Sequence, residues 1–338
     1  MTQAASPWVL GARSETGFVR SVNEDRMGWT RTRFGDVFVV SDGMGGHRGG
    51  ALAAEITVRV LQEQLANIPP GSERFSDHIH QAFQTANREV FSTRDPSDPE
   101  TREMGATAVA LVSDGARVMV AHVGDSRAYL WRRSHGLRQL TRDHTRVQSM
   151  MDAGLLTPEQ AVVHPQASVL DRAMGHAATV SLDVTDWIEL ERGDMLMLCS
   201  DGLSGYVPDP AIETVLRADG DPQSTTDRLI DCALQAGGKD NVTVQLVRFA
   251  PAGRGALGRL LARPTASVPL SVLATLALAG AAGWQATASY RQTIGQLQAA
   301  LGSQSAASAA SAASGASAAS AASSASSASS SASSAAAA

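Results

Sequence analysis

The sequence predicts an α+β fold in which antiparallel sheets carry their helices on the outside. Three observations lead there. Apolar runs of strand character recur between Trp8 and Arg248, each short enough for a strand and rich in Val, Leu, Ala and Met. Several follow one another across a turn alone, as in "TAVALVSDGARVMVAHVGDSRAYLW", where Ser113-Asp114-Gly115 is a hairpin signal. The longer helical patterns fall between groups of strands, which departs from the strict strand–helix alternation of a doubly wound sheet.

Taken in order, "DVFVV" is the first clear strand, and it runs into Ser41-Asp42 and a cluster of glycines. "ALAAEITVRVLQEQLANI" and "FSDHIHQAFQTANREVFSTR" repeat apolar residues at helical spacing. The hairpin strands "TAVALV", "RVMVAHVG" and "RAYLW" come next. The segment from about 145 to 180 is polar, helical in patches and interrupted by His164-Pro165 and Gly175, so it reads as a flap inserted over the main body. "DMLMLCS" returns to strand character, "DPAIETVLRA" and "STTDRLIDCALQA" to helix, and "NVTVQLVRF" closes the globular part as a strand.

Charge is unevenly spread over the 338 residues. All 33 Asp and Glu residues lie at or before Asp240, whereas five of the 28 basic residues follow it, which leaves 23 basic residues and a net charge of −10 in the first 240 residues. A globular part this acidic argues against nucleic acid as the main partner, because phosphate backbones are gripped by Lys and Arg. It suits a protein that gathers divalent cations. The two cysteines, Cys199 in an apolar run and Cys232 in a helical pattern, read as core thiols in a reducing compartment. The N-terminus lacks a basic start followed by an apolar run, so no signal peptide is expected.

The stretch "FVVSDGMGGHRGG" carries the chemical question. An aspartate at the tip of a buried strand, followed at once by glycines, suits a phosphate-cradling loop, a bare turn, or a metal ligand that needs room for an ion. The first answer fails on spacing. Gly43 and Gly45 are followed by Arg48 where a dinucleotide loop needs its third glycine, and Lys239 in "GGKDN" is followed by Asp240, not Ser or Thr. "DGLSGY" is not a serine-hydrolase elbow either.

Asp42 has company. Asp125 in "VAHVGDSRAY", Asp201 in "LMLCSDGL" and Asp240 in "GGKDNVTV" also sit where an apolar run meets a turn, and Glu24-Asp25 lie in "RSVNEDR". A single strand-end aspartate is usually a turn former. Carboxylates that converged would repel one another unless cations lay between them, and hard oxygen ligands are what Mg2+ and Mn2+ take. Gly43 then has a use, since its carbonyl can approach an ion that a side chain would block.

The motifs "RSVNEDR", "VVSDGMGGH", "MGATAV", "AHVGDSRAY", "LCSDGL" and "GGKDNVTV" stand in the order and at about the separations seen in bacterial metal-dependent Ser/Thr protein phosphatases, and over residues 8–249 the chain resembles that family (PPM family, type 2C). The resemblance implies a four-layer α-β-β-α sandwich of two antiparallel sheets flanked by helices, with a binuclear metal centre at one end beside the flap. It implies that Asp42 bridges two Mn2+ or Mg2+ ions, that the Gly43 carbonyl, Asp201 and Asp240 complete their sites, and that Glu24 and Asp25 act directly or through water. Asp125 together with Asp201 matches a third metal site of bacterial members. Arg20 matches the arginine that grips the substrate phosphate.

The reaction so implied is hydrolysis of phosphoserine and phosphothreonine by direct attack of a hydroxide shared between two cations, without a phospho-enzyme. Animal relatives carry a histidine directly after the Asp-Gly pair, where this chain has Met44. His47 is present as in other bacterial members, either as a proton donor to the leaving oxygen or as a histidine satisfying loop carbonyls. His122 and His144 read as structural, whereas His164, in the flap, could touch substrate although nothing in the sequence demands it. The expected partners are phosphorylated proteins and a cognate Ser/Thr kinase. A catalytically silent phosphoprotein-binding module on the same fold is the alternative, though such a module should lose metal carboxylates.

Beyond Arg248 the character changes. Residues 250–266 form a linker rich in Arg, Gly and Pro, and residues 264–290 carry no charge. Within them "VPLSVLATLALAGAAGWQA" approaches the ~20 residues that cross a bilayer as a helix, and a single transmembrane helix is expected over 267–288. Arg254, Arg259 and Arg263 precede it and only Arg291 follows. That asymmetry puts the phosphatase domain in the cytoplasm, anchored to the cytoplasmic membrane. Residues 289–338 end as a Ser/Ala-rich tail with no means of building a core.

Overall fold

A computed structural model describes residues 6–218 and 220–251, with His47 described only by its place in a helix. The first half runs β1 (Trp8–Glu15), β2 (Arg26–Arg31), β3 (Asp36–Ser41), β4 (Gly43–Met44), α1 (His47–Ala66), α2 (Phe75–Thr93), β5 (Gly105–Ala106), β6 (Ala108–Ser113) and β7 (Arg117–Val123). The second runs β8 (Arg127–Arg132), β9 (Gly136–Gln139), α3 (Arg146–Asp152), α4 (Pro158–Val162), β10 (Asp183–Val184), β11 (Ile188–Glu189), β12 (Met195–Cys199), α5 (Asp201–Ser204), α6 (Asp209–Arg217), α7 (Pro222–Gln235) and β13 (Val242–Phe249).

Two antiparallel sheets form the centre. One has the order β1-β13-β12-β8-β9; the other has the order β10-β7-β6-β3-β2, with β11 added alongside β7. The unbroken apolar runs are explained by burial on both faces. In β12, Leu196 and Leu198 face the opposite sheet, while Met195, Met197 and Cys199 face α6 and α7. In β3, Phe38 and Val40 turn to the sheet–sheet core, and Val37 and Val39 pack under α1 and α2. This period-two division recurs in β6, β7, β8 and β13. Alternation is hidden in such strands because neither face meets water.

The layers are thus helix, sheet, sheet, helix, as the family resemblance implied. The β6–β7 hairpin turns where expected. Asp114 Oδ1 accepts the amides of Ala116 and Arg117, and Gly115 adopts φ 95°, a left-handed conformation that suits glycine. Strands β1 and β2 were not singled out in the sequence. "WVLGARSE" and "RMGWTR" mix polar and small residues because β1 and β2 are edge strands, each with a partly exposed face.

The flap holds α3 and α4, capped by Thr145 and by a Thr157–Gln160 capping box. A bridge from Thr145 to Leu170 closes the flap on itself, and one from Ala106 to Met174 ties it to the body. Both cysteines are free thiols, Cys199 in the core and Cys232 half-buried. Among the described residues no helix is long and apolar enough to cross a membrane. The expected transmembrane helix over 267–288 and the Ser/Ala tail lie outside the described residues.

Candidate metal centre

Five strand ends deliver carboxylates to one end of the sandwich. Asp42 follows β3, Asp125 follows β7, Asp201 follows β12, Asp240 precedes β13, and Glu24-Asp25 precede β2. A cavity of about 410 Å³ opens there, lined by Glu24, Asp42, Asp125, Asp201 and Asp240, by Gly43, and by Arg20. Asp25 lies among them but deeper, 3% exposed, with Oδ2 accepting the Ser200 hydroxyl at 2.7 Å. The structure therefore brings together every described residue singled out for the site. The His47 side chain lies outside the described residues.

Local hydrogen bonds fix these groups. The Asp42 amide donates to Thr107 Oγ1 at 2.9 Å, and the Asp42 carbonyl accepts the Thr107 amide at 2.8 Å. Thr107 is held in turn by Ser126 at 2.6 Å. The glycines around Asp42 serve packing as well as access. A Cβ on Gly43 would stand 2.1 Å from the Gly50 carbonyl oxygen, and one on Gly50 would stand 2.4 Å from Glu24 Oε2. The start of α1 can approach β4 and Glu24 only with bare backbone on both sides.

The electrostatics point to cations. Burial, then the neighbouring charges of Asp25, Asp201 and Asp125, push the Asp42 carboxyl well above the usual range. Burial raises Asp25 to about 7 against the opposing pull of Ser200, and burial with Asp201 and Asp143 raises Asp125 to about 8. Asp201 is raised by burial and by Asp240. Asp25 Oδ1 and Asp201 Oδ1 are buried with no hydrogen-bond partner. Orphaned acceptors beside mutually repelling carboxylates suit an all-oxygen site for divalent cations. The residues present fit the metals that the sequence implied.

Arg20 stands at the rim, its Nη2 2.8 Å from Asp240 Oδ2, with Asp240, Glu24 and Asp42 all favouring its charge. It is 53% exposed along the side chain, so the guanidinium is accessible from the cavity mouth.

Three features escaped the sequence reading. Asn241 clamps the loop that carries Arg20 and Glu24: its Oδ1 accepts the Glu24 amide at 2.8 Å, and its Nδ2 donates to the Thr16 and Val22 carbonyls at 3.0 Å each. Its position beside Asp240 was the only available signal. Ser200 supports Asp25 from beneath. The end of the flap supplies a cavity wall through Asp171, Arg172 and His176.

His122, His144 and His164 make structural contacts. His122 Nε2 lies 2.8 Å from the Arg142 carbonyl and stacks on His144 at 4.5 Å. His122, His144 and Asp183 offer atoms within 4.8 Å of one another, a spacing a metal could use. The hydrogen bonds oppose it. His144 Nδ1 accepts the Gly124 amide at 3.2 Å, and its Nε2 faces both Asp183 and the Arg172 guanidinium at 3.2 Å; the Arg172 cation is also 2.8 Å from that carboxylate, occupying the place a metal would need. Burial, the neighbouring His122 and Arg172 lower the His144 imidazole to about 4, against the opposing pull of Asp183. His164 Nδ1 accepts the Gln166 amide within a flap turn.

Comparison with known proteins adds independent findings. The family profile described as Protein phosphatase 2C matches residues 19–248. A serine/threonine phosphatase stp of Listeria monocytogenes is 35% identical over 238 residues, covering 70% of this chain and 93% of that protein. The Streptococcus agalactiae serine/threonine phosphatase structure superposes with a TM-score of 0.67 at 32% identity, over 71% of this chain and 99% of that one. The catalytic domain of the phosphatase PstP, solved with 2 manganese ions, gives 0.60 at 34% identity, over 71% and 98%.

Proposed function

This chain belongs to the protein phosphatase 2C family and is a serine/threonine phosphoprotein phosphatase, and on that premise we propose that its reaction runs at the Asp42 cavity with two Mn2+ or Mg2+ ions. The observation that carries the assignment is the convergence of Glu24, Asp25, Asp42, Asp125, Asp201 and Asp240 on one cleft with Arg20 at its mouth. Asp42, Asp201 and Asp240, with the Gly43 carbonyl, would hold the pair of ions; Glu24 and Asp25 would act from the loop before β2. Asp125 with Asp201 would offer a third position. When bound, such ions supply a water nucleophile at neutral pH and offset phosphoryl charge. A silent module would have lost carboxylates, and this chain keeps all of them.

The protein's own groups perform the remaining work. Arg20 exchanges its Asp240 partner for substrate, presenting two N–H donors to the phosphoryl oxygens. Thr107 and Ser126 keep the Asp42 backbone from shifting as charge moves in the cleft, and Ser200 does the same for the Asp25 carboxylate. The flap wall excludes solvent from one side of the cleft. The test is turnover of a phosphothreonine peptide with Mn2+ and after chelation, alongside calorimetric titration of Mn2+. Turnover that persists without metal, or a protein that binds none, overturns the assignment.

The membrane anchor is a second part of the proposal. Its support is the uncharged run at 264–290 and the arginines that precede it. It would tether the phosphatase domain on the cytoplasmic side of the cytoplasmic membrane, beside a membrane-bound Ser/Thr kinase or its substrates. Carbonate washing of membranes checks this: extraction of the full chain into the soluble fraction refutes the anchor.

A further inference from the structure

The end of the sandwich opposite the carboxylates has the opposite charge. Here β8 ends, β12 begins and β13 ends, with Met195 paired to both Trp131 and Arg248. A cavity of about 720 Å³ opens between them, lined by Arg132, Arg133, Arg192, Arg217 and Arg248. Glu191 and Asp194 are its only lining acids. Arg132 engages both, reaching Asp194 at 2.6 Å and Glu191 at 3.0 Å. Arg217 pairs with Glu213 on its own helix. Arg133 and Arg192 are exposed and form no ion pair among the described residues. Trp131 also lines the cavity, and its buried Nε1–H has no acceptor among the described residues. Five guanidinium groups against three carboxylates, Glu213 included, make a cationic face on a domain whose net charge is strongly negative.

The chain leaves the domain at this face. The Ala250 amide donates to the Pro7 carbonyl, and Arg192 Nη1 donates to the Pro251 carbonyl at 2.7 Å. The sequence then passes Arg254, Arg259 and Arg263 before the uncharged run that starts at Pro264. Even fully extended, that connection spans roughly 45 Å. We propose that the arginine face docks on the anionic phospholipid headgroups of the leaflet that holds the anchor, turning the metal cleft away from the membrane. The proposal rests on the anchor reading above. Its physical basis is charge orientation. An anionic leaflet repels the acidic bulk of the domain and attracts only the end where the sign reverses, within a Debye length of about 8–10 Å.

The experiment uses the full chain in nanodiscs of phosphatidylcholine alone, or of phosphatidylcholine mixed with phosphatidylglycerol. Amide hydrogen exchange is read at residues 132–136 and 191–193. Exchange should slow on the anionic discs, recover at high salt, and recover in Arg133→Ser/Arg192→Ser. At about fivefold per arginine, the double variant should weaken docking about 25-fold. Both side chains are exposed and distant from the metal cleft, so the variant should keep its melting temperature and its turnover in detergent. Equal exchange on the two discs, or protection that survives the double variant, overturns the proposal. Protection on neutral discs by inorganic phosphate, or by a phosphopeptide, also overturns it, by making the face a site for a soluble anion or a protein. The anchor is judged separately by carbonate. Resistance to carbonate without lipid-dependent protection sinks the face alone; lipid-dependent protection without carbonate resistance sinks the anchor alone.

Discussion

Replacing Asn241 by alanine tests whether the site is held by its backbone clamp. Asn241 is 5% exposed and its side chain satisfies three backbone groups, the Glu24 amide and the Thr16 and Val22 carbonyls. Leaving a buried polar group unpaired costs about 1–3 kcal/mol. Partial access of water makes the lower figure apply to each, so the loss should be about 3 kcal/mol. For a domain of this size that lowers the melting temperature by roughly 6–12 °C. The loop from Thr16 to Asp25 also loses its register, and partners that orient ligands typically change metal affinity by about 10–100-fold. Calorimetric melting in chelator measures the first effect and Mn2+ titration the second. Asn241→Asp separates hydrogen bonding from volume: it keeps the acceptor for Glu24 but turns a charge toward two carbonyl oxygens, so it should fall at least as far. A melting point within about 2 °C of wild type and an Mn2+ affinity within about twofold would refute the clamp, since both lie well below the expected changes.

Other outcomes follow from the same site. Asp42→Asn and Asp201→Asn should reduce phosphopeptide turnover to background even in millimolar Mn2+, because the ligand's negative charge is lost at a shared position; near wild-type turnover would show that the ions sit elsewhere. Arg20→Ala should raise KM for a phosphothreonine peptide about tenfold with kcat less affected, and an unchanged kcat/KM removes Arg20 from phosphate binding. Chelated protein should lose stability as pH rises. Asp25 and Asp125, with folded values of about 7 and 8, lie above their unfolded values, so the fold binds more protons than the unfolded chain between roughly pH 4 and 8. The melting temperature without metal should therefore fall from pH 5 to pH 8.5, and excess Mn2+ should remove or reverse that slope. A flat or rising metal-free profile contradicts the crowding of the carboxylates.

Much of the fold was legible because strand and helix signals agreed with the tertiary plan. "DVFVV", "TAVALV" and "DMLMLCS" became central strands because they are apolar at both parities, and only a sheet covered on both faces asks for that. The edge strands β1 and β2 were missed for the converse reason. Trp29 in β2 is 46% exposed, yet its Nε1 donates to the buried Asp36. A strand stabilised by such side-chain pairing carries no period that composition can show.

The site divides along the same line. Carboxylates at strand tips are visible because the chemistry demands a charged residue where the local pattern demands an apolar one. The groups that aim them obey no such conflict. Asn241 follows a turn, Ser200 precedes a helix and Thr107 opens a strand, all places where polar residues are ordinary, and nothing local separates a turn former from a clamp. What separates them is the partner, and the partners are remote: Asn241 reaches back to Thr16, Val22 and Glu24, and Ser200 reaches Asp25. The cationic face has the same origin. Arg132, Arg192 and Arg248 stand far apart in the sequence of a domain whose net charge is acidic, and only the antiparallel pairing of β8, β12 and β13 brings their ends together. Charge in this protein is sorted by strand direction. Because every central strand runs from one end of the sandwich to the other, residues before and after each strand fall into two opposed sets. Acids dominate the set that surrounds the cleft, and arginines dominate the set where the chain departs.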